Sequence, residues 1–290
     1  MAEKKISKLP KRRLIQVLSA ILYNMNFKGF VRGSIYTGRL KSFCVPGLNC
    51  YSCPGAISSC PLGSLQSALS DIKYKIPLYV LGLLALFGVI FARAVCSFLC
   101  PFGLIQELLY KIPAPKIKKS RITRRLSAVK YIVLFVFVLT VPILTAVSAG
   151  MPLPSFCKYI CPAGILEGAL PLLSVNTAVR ELLGTLFWFK LSLLAFTLAF
   201  SVFIFRPFCR FICPLGAIYS FFNKVSITGI KVDKDKCIGC NACVKSCKLD
   251  VREINDRECI RCGECAEKCK FNAIYFSPER KVSTYEKNKK

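Results

Sequence analysis

The stretch CRFICPLG, residues 209–216, directly follows an apolar run and ends it with two cysteines four positions apart, a proline and a glycine. Residues i and i+4 of a helix lie on one face, so Cys209 and Cys213 point the same way. Proline cannot continue a helix but is favoured in the first turn of a new one, so Pro214 is predicted to end one helix and begin another. The free N–H groups at the start of the second helix would then face the two thiolates.

The same motif recurs along the chain. CSFLCPFG begins at Cys96 and CKYICPAG begins at Cys157, whereas CPLG at Cys60 lacks a cysteine four residues earlier. A [4Fe–4S] cubane is normally held by four thiolates, and each complete copy of the motif supplies two. Two copies must therefore meet on one side of a membrane to complete a site. The alternative for each copy is a pair of buried cysteines without a cofactor.

Long apolar blocks precede or connect these motifs. Residues 76–92 and 131–157 contain no charged residue, and residues 182–205 contain only one, Lys190. A bilayer core needs roughly 17–25 apolar residues per helix, so these three blocks are predicted to span it. The segment 14–31 is a weaker fourth candidate because polar residues interrupt it.

Composition excludes several classes of function. The net charge of +27 lies in tails and loops that flank apolar blocks, which favours contact with an anionic membrane surface over nucleic-acid binding. Histidine is absent, which excludes histidine-ligated haem, histidine-containing zinc sites and an imidazole acid–base catalyst. No GxGxxG fingerprint or P-loop is found, which argues against an intrinsic NADH dehydrogenase. No catalytic residue is predicted.

Eight of the eighteen cysteines lie in two runs near the C-terminus, CIGCNACVKSC from Cys237 and CIRCGECAEKC from Cys259. Both runs have the spacing C-x2-C-x2-C-x3-C, in which three cysteines bind one [4Fe–4S] cluster and the fourth binds the other. A zinc site or a disulfide framework would not explain the doubled spacing. The predicted ligand sets are Cys237, Cys240, Cys243 and Cys269 for one cluster, and Cys259, Cys262, Cys265 and Cys247 for the other.

Residues 231–277 resemble the two-cluster ferredoxins, with Lys248 and Lys270 where a proline usually follows the fourth cysteine of each run. The CxxxCP repeats combined with a C-terminal ferredoxin resemble the polytopic membrane iron–sulfur proteins of the NapH/NosR/CcoG type. That resemblance implies membrane electron transfer through [4Fe–4S] clusters. The cysteine-rich box at 43–63 is an addition to the simplest family pattern, so the number of clusters cannot be copied from the family.

Charge asymmetry predicts the sidedness of the motifs. The loop 111–130 holds eight Lys/Arg, whereas 150–182 holds two, so the first is predicted to be cytoplasmic and the second external. A cytosolic ferredoxin module gives the same orientation. The predicted inner cluster uses Cys96, Cys100, Cys209 and Cys213, and the predicted outer cluster uses Cys157, Cys161, Cys53 and Cys60. Cys44 and Cys50 are not assigned to either cluster. They could serve as alternative ligands, form a disulfide, or be redox-active thiols outside the cell.

The predicted fold is an all-α polytopic membrane domain, with three to four transmembrane helices and broken-helix cluster sites, plus a small α+β ferredoxin-like domain. Four regions are predicted: a basic cytoplasmic N-terminus (1–13), the membrane domain (14–225), the ferredoxin domain (226–277) and a polar tail (278–290). The predicted location is the cell membrane, with several passes through the bilayer and the ferredoxin domain on the cytosolic side.

The predicted function is electron transfer from a cytosolic ferredoxin, flavodoxin or reductase subunit, through the ferredoxin and membrane clusters, to a membrane or extracytoplasmic acceptor. The chain would then be an electron carrier or an oxidoreductase subunit. A quinone-linked oxidoreductase and an accessory factor that reduces or matures another metalloenzyme remain alternatives. In the quinone alternative Glu107, beside Gln106, would handle protons. Otherwise Glu107 is expected on the exposed polar face of an amphipathic helix.

Overall fold

A computed structural model describes residues 12–69, 77–117, 119–151, 153–181 and 183–277. The predicted polar tail, and all but two residues of the predicted basic N-terminus, lie outside the described residues.

Helices build most of the described chain, and a two-stranded sheet closes its C-terminal part. The helices are α1 Arg12–Tyr23, α2 Phe27–Arg32, α3 Pro61–Ala68, α4 Leu78–Phe91, α5 Ala94–Phe98, α6 Pro101–Leu109, α7 Arg121–Ala149, α8 Gly164–Val175, α9 Thr177–Glu181, α10 Thr185–Phe203, α11 Pro207–Phe211, α12 Pro214–Phe222, α13 Ala242–Ser246 and α14 Glu264–Glu267. A π-helical stretch, Leu134–Thr140, lies within α7, and a short π-helical turn, Phe156–Ile160, precedes α8.

Two of the described helices, α7 and α10, are long and apolar enough to cross a bilayer. The third predicted span is shorter: α4 has 14 residues, or about 21 Å at 1.5 Å per residue. The weaker candidate 14–31 is not one continuous helix, because α1 ends at Tyr23 and α2 begins at Phe27. The number of three to four transmembrane helices therefore remains a prediction. Two of the predicted spans coincide with helices that are long enough to cross the bilayer.

Each broken helix turns at a cysteine. Cys60, Cys100 and Cys213 have extended backbone and precede the proline that begins α3, α6 and α12 respectively. The sequence prediction that Pro214 starts a second helix is confirmed. Cys161 is also extended, and α8 begins three residues after it.

The ferredoxin-like part is small and packs on the helical part. Strands β1 Gly229–Val232 and β2 Ile274–Ser277 pair antiparallel, with Ile230 opposite Phe276. The segment that leads from α12 into β1 is hydrogen-bonded to the end of α4: Ile227 N donates to Val89 O at 2.8 Å, and Thr228 N donates to Ile90 O at 3.1 Å. The predicted α+β module is thus fastened to the helical domain by main-chain hydrogen bonds.

One apolar core runs through the helical domain. Buried side chains of α3, α4, α6, α7 and α12 contribute to it, and so do cysteines from all four copies of the motif. The thiols lie in the interior, where the folded chain excludes water from them.

Candidate functional site

The four cysteines of the two CxxxCP motifs at 96–100 and 209–213 meet in the interior. All four are buried. The Cys213 thiol lies within electrostatic range of the other three, and the Cys100 thiol within range of Cys209 and Cys96. We call this group, Cys96, Cys100, Cys209 and Cys213, the inner site.

Hydrogen-bond donors surround the thiols of the inner site. The backbone N–H of Gly103 contacts Cys100, and that of Gly216 contacts Cys213, each from the first turn of a helix that follows the cysteine. The side chain of Gln106 donates to Cys209 Sγ at 3.2 Å. Thiolates accept such bonds, so these helix ends stabilise negative charge at the inner site, as predicted from Pro214.

Two buried arginines flank the inner site. Arg93 and Arg206 are each 1% exposed. Arg206 Nη1 donates to Cys96 O at 2.5 Å, and Arg93 lies within electrostatic range of the Cys96 thiol. The backbone of Arg206 has a φ of 50°, in the left-handed region that residues other than glycine rarely adopt. Two buried guanidinium groups therefore lie beside the inner site.

Glu107 is not on an exposed face, which corrects the expectation from the sequence. The residue is 6% exposed, and its Oε1 lies 2.8 Å from Arg12 Nη1 and 3.0 Å from Arg206 Nε. The helix α6 packs against α1 and α10, so the face that periodicity marks as polar is turned inward. Glu107 is an ion-paired support for Arg206.

A second group of cysteines lines a cavity of about 310 Å³. Its thiols belong to Cys50, Cys60, Cys157 and Cys161, and two lysines, Lys158 and Lys190, also line it. Cys161 lies within electrostatic range of the other three cysteines. We call this group of four cysteines the outer site. Three of its members were predicted for the outer cluster, whereas Cys53 does not line the cavity and Cys50 does.

The inner and outer sites repeat one geometry. Six positions after Cys60 and Cys100, within the motif CPxGxxQ, Gln66 and Gln106 are completely buried. Gln66 Nε2 donates to Cys157 Sγ at 3.3 Å, as Gln106 does to Cys209. Each glutamine also accepts from the backbone N–H just before that cysteine, Gln66 from Phe156 and Gln106 from Phe208, both at 3.1 Å.

A single stretch of backbone joins the two sites. In this linking segment, residues 46–50, the N–H of Leu48 contacts the Cys100 sulfur and the N–H of Asn49 contacts the Cys60 sulfur. Consecutive Cα atoms are about 3.8 Å apart, so the two sulfurs lie within about 12 Å of each other. The inner and outer sites are therefore adjacent.

Residues six positions after the other two Cys-Pro cysteines hold the linking segment. The hydroxyl of Tyr219, six positions after Cys213, donates to Pro46 O at 2.9 Å. The carboxylate of Glu167, six positions after Cys161, accepts from Cys50 N at 2.7 Å. No role was predicted from the sequence for any of the four residues in this position. The signal was present, because each lies six residues after a cysteine of the repeated CPxG motif: Gln66, Gln106, Glu167 and Tyr219.

In the ferredoxin part, the second predicted ligand set is brought together. Cys265 lies within electrostatic range of Cys259 and Cys262, and also of Cys247 and Cys243 from the other run. The ligands predicted for the first cluster lie nearer the surface, where Cys237 and Cys240 are exposed. The ligand assignments themselves remain predictions.

The donors at the inner site suit an iron–sulfur cluster. A cubane is bound at its corners, so its four thiolates surround a volume. At the inner site four buried thiols, helix N–H donors and the buried Arg93 Nε, which has no partner among the described atoms, suit an anionic cluster.

A buried ion-pair network docks the ferredoxin part beside the inner site. Glu258, next to Cys259, bonds Arg93 Nη1 at 3.0 Å and Lys130 Nζ at 2.5 and 2.6 Å. Burial alone would raise the pKa of Glu258, but attraction to Arg93 and Lys130 outweighs it and holds the pKa below its ordinary value. Nearby, Asn223 Nδ2 donates to Asp256 O and Cys259 O at 2.9 and 2.8 Å.

Comparison with known proteins agrees with this arrangement. One 4Fe–4S binding domain family matches residues 74–120, 131–170 and 186–232, and a second, also described as a 4Fe–4S binding domain, matches 230–253 and 252–275. No solved structure is significantly similar to the chain.

Three relatives illustrate the range of matches. An uncharacterized protein of Methanocaldococcus jannaschii is 30% identical over 63% of this chain and 60% of its own length. The regulatory protein NosR of Stutzerimonas stutzeri is 28% identical over 53% of this chain and 20% of its own. The putative electron transport protein YccM of Escherichia coli is 24% identical over 53% of this chain and 41% of its own length. The chain thus spans about 60% or less of the length of these relatives.

The fold and the cysteine sites define an iron–sulfur protein, and the two apolar helices with these relatives indicate a membrane protein. The chain is similar to the NapH/NosR-type iron–sulfur electron-transfer proteins, both in its matches to the two 4Fe–4S domain families and in its relatives. Its cofactors are [4Fe–4S] clusters, with two ferredoxin motifs at the C-terminus. The clusters supply one-electron redox chemistry, while the chain's own residues bind and orient them, exclude water and balance their charge.

Proposed function

We propose that this protein conducts electrons across the membrane, from a cytosolic donor to an acceptor at the other face. The ferredoxin module receives electrons on the cytosolic side, and the inner and outer sites pass them on through a domain that crosses the membrane several times. A soluble ferredoxin, a flavodoxin or a reductase subunit is the donor. A membrane or extracytoplasmic redox protein is the acceptor.

The linking segment is the observation that carries this proposal. A helix that spans the bilayer core is about 30 Å long, too far for one fast electron transfer between its ends. Contacts from Leu48 to Cys100 and from Asn49 to Cys60 bring the sulfurs of two cysteine sites within about 12 Å. Two adjacent clusters in the interior would divide the crossing into shorter transfers.

The docking of the ferredoxin module supports the entry of electrons at the inner site. Arg93 connects the two, because it bonds Glu258 beside Cys259 and lies near the Cys96 thiol. Cys259 is a predicted ligand of the second ferredoxin cluster, whose cysteines are less exposed than Cys237 and Cys240 of the first. A rigid, buried contact keeps the distance between donor and acceptor clusters constant, as directional transfer requires.

Glu107 is a poor candidate for the proton-handling group that the quinone-linked alternative requires. Arg12 and Arg206 both pair with Glu107, and these contacts hold its pKa below the ordinary value despite burial. A carboxylate held as an anion by two arginines is a poor proton shuttle. We therefore favour an acceptor protein over a quinone that is protonated at this helix.

Vectorial reduction in liposomes tests the proposal. Anaerobically purified protein is reconstituted in vesicles that contain an oxidised, membrane-impermeant dye, and dithionite is added outside. We expect the dye to be reduced in vesicles that contain the protein and to stay oxidised in protein-free vesicles. If the ferredoxin signals are fully reduced while the dye remains oxidised, the proposal is wrong.

Replacement of Gly47 by alanine is expected to slow the transfer between the two sites. A Cβ there would lie 3.0 Å from Leu99 O and 3.2 Å from Cys100 Cα, so the linking segment must move away from the inner site. We expect weaker magnetic interaction between the reduced clusters in EPR and slower dye reduction, at unchanged iron content. Gly82→Ala is the matched control, because a Cβ at Gly82 meets nothing within 4 Å. Equal effects of both variants would contradict this role for the segment.

A further inference from the structure

We propose that Cys50, Cys60, Cys157 and Cys161 bind a [4Fe–4S] cluster at the outer site, with Cys50 and not Cys53 as the fourth ligand. This inference deepens the proposed function by specifying its exit site. The metal site itself rests on the geometry of the cavity and not on the direction of electron flow.

The cavity has the size and the lining for a cluster. Its volume is about 310 Å³. One water molecule occupies about 30 Å³ in the liquid, so the cavity has room for the eight atoms of the inorganic core of a cubane. All four thiols line it. A Cβ placed at Gly168 would lie 3.5 Å from Cys50 Sγ, an ordinary van der Waals distance, so α8 packs directly beside this sulfur.

Comparison of the two sites identifies the missing ligand. Cys60, Cys157 and Cys161 occupy the places that Cys100, Cys209 and Cys213 occupy in the inner site, with Gln66 and Gln106 in matching contacts. The residue four positions before Cys60 is Ala56, where the inner site has Cys96 four positions before Cys100. The outer site therefore needs a thiol from elsewhere.

Cys50 supplies that thiol. It lies within electrostatic range of Cys157, and its backbone N–H is fixed by the buried carboxylate of Glu167. The linking segment thus ends on a ligand of the outer site after contacting a ligand of the inner site. Gln66 and the first-turn N–H groups of Leu62, Gly63 and Gly164 donate to the other three thiols.

The two remaining cysteines of the box have other contacts. The sulfur of Cys53 accepts from the N–H groups of Gly55 and Ala56, and it lies near Lys41. The sulfur of Cys44 donates to Ser64 Oγ at 3.2 Å. Neither lines the cavity.

Alanine variants and iron counts test the ligand set. Alanine is used because a serine oxygen could still bind iron. We expect Cys50→Ala to lower the iron and sulfide content by about four atoms each per chain and to remove one EPR signal, with the inner and ferredoxin signals retained. The matched control Cys53→Ala is expected to keep the full content, as is Cys44→Ala.

The possible results separate this inference from the proposed function. If Cys53→Ala loses the cluster and Cys50→Ala keeps it, the assignment of Cys50 is overturned. If neither variant changes the iron content, the outer site holds no cluster that depends on these thiols, and the inference fails. A full iron content with the expected loss in Cys50→Ala, but no vectorial dye reduction by the unaltered protein, would leave the metal site correct and the proposed function wrong.

Discussion

A Cys213→Ala variant is expected to lose the cluster of the inner site and, with it, all electron transfer from the ferredoxin module to the far face. Cys213 is buried beside the other three thiols and receives the N–H of Gly216. Without it, a cubane there has three thiolate ligands instead of the normal four. We expect about four fewer iron atoms per chain and dye reduction no faster than in protein-free vesicles.

The ferredoxin EPR signals are the internal control for this variant. Both ferredoxin ligand sets lie in the C-terminal module, so dithionite should still reduce those clusters. Cys44→Ala is the matched control, because Cys44 is a cysteine of the same domain that lies outside both membrane-domain sites. Undiminished dye reduction by Cys213→Ala would mean that electrons do not pass through the inner site.

The sequence was sufficient to predict the groups that obey a periodic rule. The i, i+4 spacing of Cys209 and Cys213, and the break at Pro214, follow from helix geometry alone, and the structure has both thiols together at the start of α12. The meeting of these two cysteines with Cys96 and Cys100 followed from counting apolar blocks. Helix periodicity and the order of the apolar blocks were therefore together sufficient to predict the inner site.

Two features of the sites could not be predicted because no periodic rule applies to them. Cys50 and Cys53 are three residues apart in an irregular loop, so no spacing indicates which one faces Cys157. The burial of Glu107 depends on the packing of α6 against α1 and α10, which amphipathic periodicity does not include. Tertiary contacts decide both cases.

The docking network was missed for a related reason. Glu258 and its partners Arg93 and Lys130 are more than 100 positions apart in the chain. In the sequence each is an ordinary charge at the edge of a motif or an apolar block. Their pairing depends on how the ferredoxin module lies on the helical domain.

The second large effect is expected from Glu258→Ala, which should undock the ferredoxin module. The substitution leaves the guanidinium of Arg93 and the ammonium of Lys130 buried together without their shared carboxylate. Removal of one partner from a buried ion pair typically costs about 3–5 kcal/mol. We expect faster proteolytic cleavage between the two domains, and much slower electron transfer from the ferredoxin clusters to the inner site.

Two further variants separate this ion-pair network from charge effects in general. Glu264→Gln removes a carboxylate of the same module whose bonds to Lys248 and Arg12 are partly exposed, so a loss of at most about 1 kcal/mol is expected. The double variant Glu258→Ala, Lys130→Ala removes one of the stranded cations together with the carboxylate. Because the two residues interact directly, its effect should be smaller than the sum of the single effects. Additive effects, or equal damage by Glu264→Gln, would show that the Glu258 network does not dock the module.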